Sequence, residues 1–127
     1  MIYLSLEQIQ KIHEKIIDKS GGSHGIRDDD LLKSSLFRMQ TTFDGQDLYP
    51  DIFTKAASLL HSIINNHAFV DGNKRTGFVS AITFLELNGY NTKFPKEKTE
   101  KFVISVASEK IELNTIANFL RQHCKKE

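Results

Sequence analysis

The sequence predicts an all-α domain. Apolar residues recur at helical spacing in six segments, two of these are strongly apolar, and no alternating polar and apolar run of useful length occurs. The 127 residues fit a single domain, 1–127, with enough chain to bury a sizeable core. With 39% hydrophobic residues and only two prolines the chain should fold and not stay disordered.

Ser5 followed by Gln8 forms a capping-box pattern. Leu6, Ile9, Ile12, Ile16 and Ile17 then follow at helical spacing, which predicts a first helix from about Leu6 to Asp18. Ser20–Gly25 holds three glycines but no Gly-Lys-Ser/Thr, so it is not a P-loop and reads as a connecting loop, with the lining of a site as the second reading. Arg27-Asp28-Asp29-Asp30 starts a second helix, with an aspartate as N-cap and further carboxylates placed against the dipole. A metal site there is disfavoured because neighbouring helical residues point in different directions. Leu31, Leu32, Ser35 and Leu36 give this helix its apolar face, and it should end near Arg38 or Met39.

Residues 41–49 are polar, contain an Asp-Gly pair, and predict a loop or a small turn with extended arms. Pro50 is expected in the first turn of a third helix reaching Asn65, strongly apolar through Ile52, Ala56, Leu59, Leu60, Ile63 and Ile64. His61 within it reads as a packed or half-exposed histidine without a catalytic role. A fourth helix carries Phe78, Val79, Ala81, Ile82, Phe84 and Leu85 and closes at Asn88-Gly89. Pro95 opens a fifth, with Phe102, Val103, Val106 and Ala107 as its apolar face, and a sixth runs from about Leu113 to His123. The pattern leaves room for a short strand at Ile2–Leu4 or a hairpin within 41–49.

The formal net charge of +1 gives no bulk attraction to nucleic acid or an anionic membrane, so any anion binding must be local. One cysteine, Cys124, excludes an internal disulfide and a cysteine-rich zinc site and is compatible with a reducing compartment. The N-terminus carries no signal-peptide pattern, and no apolar run approaches the roughly 18 residues needed to span a bilayer. A soluble, cytoplasmic protein is expected.

One stretch stands out, His67-Ala-Phe-Val-Asp-Gly-Asn-Lys-Arg75, between the two strongly apolar helices. Burying Asp71, Lys74 and Arg75 without partners would cost several kcal/mol each, so a plain packing role does not explain the run. A loop turning into a helix N-terminus does. If Asn73 starts the helix, the amides of Asn73, Lys74 and Arg75 are unpaired donors, Gly72 lets a phosphate approach closely, and the two cations neutralise it. An imidazole at His67 can accept a proton near neutral pH. Asp71 can hold Mg²⁺, an ion that favours one or two carboxylates plus phosphate oxygens. Each residue has an ordinary reading too: His67 as a C-cap, Asp71-Gly72 as a turn, Asn73 as an N-cap, Lys74-Arg75 as a solvated pair. Their concentration in one short loop favours phosphate chemistry.

This stretch resembles the signature of the Fic/Doc family, His-x-Phe-x-Asp/Glu-Gly/Ala-Asn, then Gly or Lys, then Arg, matched at His67, Phe69, Asp71, Gly72, Asn73 and Arg75. Lys74 with Arg75-Thr76 is the version found in the death-on-curing (Doc) toxins. Gly25–Asp28, Thr42–Pro50 and Lys55–Ala57 are similar to Doc as well. The resemblance implies a helical Fic fold and modification of a protein hydroxyl with ATP and Mg²⁺. For Doc toxins it implies transfer of the terminal phosphate to a Ser/Thr hydroxyl of elongation factor Tu, arresting translation. Two alternatives stay open: transfer of AMP, as in most Fic enzymes, and a catalytically silent module that only binds its antitoxin. Lys74 in place of the second glycine and Phe78 in place of a later arginine favour the terminal phosphate.

Carried over residue by residue, His67 is the general base and Asp71 orients it or holds Mg²⁺. Gly72, Asn73 and the first-turn amides bind the phosphate, with Lys74 and Arg75 stabilising developing charge. Phe69 anchors the loop, and the 41–49 segment acts as a flap. The inhibitory pattern of many Fic enzymes is approached by Ser105–Glu109, but Lys110 follows, so inhibition in trans by an antitoxin whose tail folds onto the domain is expected.

Overall fold

The computed structural model describes all residues, Met1–Glu127. Six helices follow in order: α1 (Leu6–Ser20), α2 (Asp29–Phe37), α3 (Ile52–Asn66), α4 (Asn73–Leu87), α5 (Lys96–Ser108) and α6 (Leu113–Gln122). A 3₁₀ turn, Arg38–Gln40, extends α2. Strands β1 (Thr42–Phe43) and β2 (Gln46–Asp47) form a hairpin, for which the sequence left room, pairing Thr42 with Asp47 and Phe43 with Gln46. No helix is long and apolar enough to cross a membrane.

The helix starts follow the capping chemistry. Ser5 and Gln8 form a reciprocal capping box on α1, and the Asp28 carboxylate accepts from the Leu31 amide at the head of α2. At α3 the expectation for Pro50 fails. The Asp51 side chain accepts from the Phe53 and Thr54 amides and so becomes the N-cap, which leaves Pro50 outside the helix.

Helix α3 is the axis of the molecule. Ten of its fifteen residues are buried, so it meets neighbours all round and cannot be a surface helix. Helix α4 packs along it, but only partly through the stripe that hydropathy suggests: Ala81, Phe84 and Leu85 are buried as expected. Thr76, Gly77, Ser80 and Ala81 are buried, whereas Phe78, Val79 and Ile82 are half-buried. Small residues bring the backbones together here: a Cβ on Gly77 would lie 2.9 Å from Ile64 Cγ1 and 3.1 Å from the Leu60 carbonyl. Ile9, Leu32, Leu36, Val106, Ile116 and Leu120 close the core from the other helices.

Two local expectations need correction. Ile2–Leu4 forms no strand; the backbone of Ile2 instead donates to and accepts from the Asn88 side-chain amide, at 2.7 and 2.8 Å, which stands in for a partner strand. A second sheet arises elsewhere, where β3 (Tyr90–Thr92) pairs antiparallel with β4 (Cys124–Lys126) and ties the C-terminus to the end of α4.

Lys55, 1% exposed, is the one buried cation of the core, and its Nζ donates to the Met39 carbonyl at 3.1 Å and to Asp47 at 3.3 Å. It therefore fixes the hairpin to α3. Beside it, Arg38 donates to Tyr49 Oη, His61 Nδ1 and Ser62 Oγ. Burial, then the Arg38 charge, lower the pKa of His61 below its ordinary 6.5. Burial, then Lys98, lower that of His123.

Gly77→Ala should cost about 1–3 kcal/mol of stability in urea unfolding, by forcing α3 and α4 apart. The two histidines also set a pH dependence. Because their folded pKa values lie below the unfolded one, their share of stability is complete above about pH 6.5 and is lost as pH falls through the folded values. The melting temperature should therefore decline between about pH 7 and pH 5, and His61→Gln should flatten part of that slope.

Candidate active site

The loop 67–72 joins the C-terminus of α3 to the N-terminus of α4. His67 ends α3 in a left-handed conformation, φ 50°, ψ 47°, which costs a non-glycine residue about 1–2 kcal/mol. Arg27 holds the turn in place, donating from Nε to the His67 carbonyl at 2.7 Å and from Nη2 to the Asn66 carbonyl at 3.1 Å. A cation at this end also suits the helix dipole. The His67 ring is left exposed at the rim of a cleft of about 880 Å³.

Phe69 is 1% exposed and anchors the loop in the core. Its backbone is gripped by Asn73: the Phe69 amide donates to Asn73 Oδ1 at 3.0 Å and Asn73 Nδ2 donates to the Phe69 carbonyl at 2.9 Å. The Asn73 side chain thus faces the loop and not the cleft. Helix α4 then begins with Gly72 at φ 77° as N-cap and no side-chain cap. The amides of Asn73, Lys74 and Arg75 form the helix's first turn and precede its first internal bond, from Thr76 to the Gly72 carbonyl. Lys74 and Arg75 are exposed beside them, and Arg75 Nη1 donates to Ser20 Oγ.

Asp71 is exposed, and each carboxylate oxygen takes one backbone donor, Gly72 at 3.0 Å and Ser23 at 3.3 Å. Each oxygen keeps a free lone pair toward solvent. No cluster of three or more His, Cys, Asp or Glu exists that could cage a metal. One carboxylate suits Mg²⁺ that is held chiefly by phosphate oxygens and water.

The structure therefore brings His67, Asp71, Gly72, Asn73, Lys74 and Arg75 to one cleft. Three features escape a reading of the motif alone. The first is His13 on α1, 3% exposed, whose ring stacks on Phe69 at 3.9 Å while Nε2–H donates to the Asp71 carbonyl at 2.7 Å. Nothing in the spacing of α1 distinguishes it from a core position. The second is the glycine loop, where the structure favours the second reading, a loop that lines the site, over a plain connector. Val70 donates to the Gly25 carbonyl, and Arg27 and Asp28 donate to the Ala68 carbonyl. Gly22, at φ 105°, passes so close that a Cβ would meet Asp71 Oδ2 at 2.7 Å.

The third is the far wall. Lys96, Thr99, Glu100, Val103, Ile104 and Ala107 recur every three or four residues along α5 and face the cleft. Phe78 packs edge-on against Phe94 at 5.1 Å between the two walls. Glu109 is exposed, follows the end of α5 and takes no part in the cleft.

Comparison with known proteins agrees with this geometry. Residues 3–85, which include the whole loop, match the Fic/DOC family. The chain belongs to that family. Among its members, Toxin Doc of Mycolicibacterium smegmatis is 42% identical over 99 residues, 76% of either chain. Protein kinase doc of Escherichia phage P1 is 28% identical over 122 residues, 96% of this chain and 95% of its own. In this Fic/DOC chain the family loop is thus supported from beneath by His13 and from the side by Arg27.

His13→Ala should lower stability by about 2–4 kcal/mol, because it removes a buried ring and strands the Asp71 carbonyl. His13→Phe keeps a ring against Phe69 and should lose only about half as much. Chemical denaturation of both variants checks the division.

Proposed function

We propose that the protein is a Doc-type toxin that transfers the terminal phosphate of ATP to a Ser or Thr hydroxyl of a target protein. The observation that carries this reading is the uncapped first turn of α4, flanked by Lys74 and Arg75 and facing the same cleft as the free His67 ring. The near full-length likeness to a protein named as a kinase supports it.

In the reaction, the γ-phosphoryl group sits against the first-turn amides, which with Lys74 and Arg75 stabilise the charge on its equatorial oxygens. The His67 ring makes no hydrogen bond to the protein, so it is available to accept the proton of the target hydroxyl as that oxygen attacks phosphorus. The new O–P bond forms, the bond from the γ-phosphorus to the bridging oxygen breaks, and ADP leaves. Asn73 acts indirectly, by keeping the loop closed so that the amides stay aimed at the phosphate. Asp71 would hold Mg²⁺, which neutralises phosphate charge when bound.

Phe78 favours γ-transfer over AMP transfer. Its ring packs on Phe94 and offers no charge to the inner phosphates; on the α4 side of the cleft the cations are Lys74 and Arg75, and Lys96 stands on the opposite wall. The target class implied by the family likeness is elongation factor Tu, with arrest of translation in the cytoplasm. The inhibitor is an antitoxin whose tail folds onto this domain.

Label from γ-labelled ATP should appear on the target, and label from the α position should not; α-label on the target would assign AMP transfer instead. His67→Asn, chosen because asparagine tolerates the left-handed backbone, should slow transfer at least about 100-fold. It should relieve growth arrest with little change in melting temperature. An equally toxic variant would remove His67 from the mechanism.

A further inference from the structure

Five side-chain polar atoms are buried without a hydrogen-bond partner, on Ser58, Thr76, Ser80, Thr99 and His123. Of these residues, only Thr99 lines the cleft. It is 7% exposed, and its own amide donates to the Pro95 carbonyl at 3.0 Å while Oγ1 bonds nothing. A helical threonine ordinarily satisfies its hydroxyl on a preceding carbonyl. An orphan hydroxyl in a native structure calls for an explanation.

The cleft is chemically divided. Its α4 side carries the amides of the first turn with Lys74 and Arg75, and suits phosphate. Its α5 side presents Phe94, Val103 and Ile104, an apolar surface interrupted by Lys96, Thr99 and the Glu100 carboxylate. A ligand that fills both must be anionic at one end and a flat, largely apolar group with a few hydrogen-bonding atoms at the other. A nucleoside triphosphate has that form, and the volume of about 880 Å³ accommodates it.

We infer that Thr99 recognises the nucleoside end of the bound triphosphate and makes α5 the selectivity wall of the site. This rests on the reading of the cleft as an ATP site. Rotation about χ1 exchanges the hydroxyl with the methyl group, and threonine has two accessible rotamers in a helix. The hydroxyl, buried and without a partner in the protein, thereby gains one on the base or ribose. Thr99 is a specificity residue; it stands on the wall opposite the reacting phosphate and takes no part in bond making.

The test uses calorimetric titration of the full chain with a non-hydrolysable ATP analogue and, separately, with inorganic tripolyphosphate, at fixed Mg²⁺. Thr99→Val, nearly isosteric, should weaken binding of the analogue about five-fold and leave tripolyphosphate affinity and melting temperature unchanged or higher. Thr99→Ser, which keeps the hydroxyl, should retain analogue affinity. Unchanged analogue affinity in Thr99→Val, equal weakening of both ligands, or an equal loss in Thr99→Ser would each overturn the assignment. Failure of the unaltered protein to bind the analogue would overturn the ATP reading as well, so the two failures are distinct.

Discussion

The architecture of the site depends on how one amide side chain is used. An asparagine at the start of a helix ordinarily caps it and consumes a first-turn donor. Here Asn73 turns back, and both its oxygen and its nitrogen are bonded to the backbone of Phe69. The consequence is double. The loop 69–73 is closed into a fixed ring, and α4 begins without a side-chain cap, so its positive end is left for a ligand.

A closed loop still needs support, and it comes from three directions. His13 presses on Phe69 and holds the Asp71 carbonyl, Arg27 holds the end of α3, and the glycine loop lies against Asp71 through the Ser23 amide. These are backbone contacts for the most part, so they fix the path of the loop and leave the side chains of His67 and Lys74 free, while Arg75 reaches back to Ser20. With a net charge of +1 over the whole chain, any attraction for an anion must be local, and the place where two cations and a helix terminus coincide is the first turn of α4.

Much of this was legible in the residues. Helical spacing located all six helices, and the nine-residue run 67–75 stood out as a candidate site because its charges had no reason to lie between two apolar helices; the structure places that run at a helix start on one cleft. What escaped has identifiable causes. The pairing of β3 with β4 joins two three-residue segments some thirty residues apart, too short for any alternation to register. The buried stripe of α4 adds Thr76, Gly77 and Ser80 to the expected Ala81, Phe84 and Leu85, and hydropathy ranks those three low although close approach to α3 requires them. His13 follows the periodicity of any core position, and its contact with the loop exists only in three dimensions. Helix α5 has one face on the core, through Phe102 and Val106, and a second toward the cleft, through Val103 and Ala107, so a single apolar stripe described half of it.

The claim on which the rest stands is that the first turn of α4 receives the terminal phosphate. Backbone amide resonances report this directly, through titration of ¹⁵N-labelled protein with a non-hydrolysable ATP analogue. The expected result is that the amides of Asn73, Lys74 and Arg75 shift most. If those three stay still while the largest shifts fall elsewhere, such as the hairpin of β1 and β2, the anion site is contradicted.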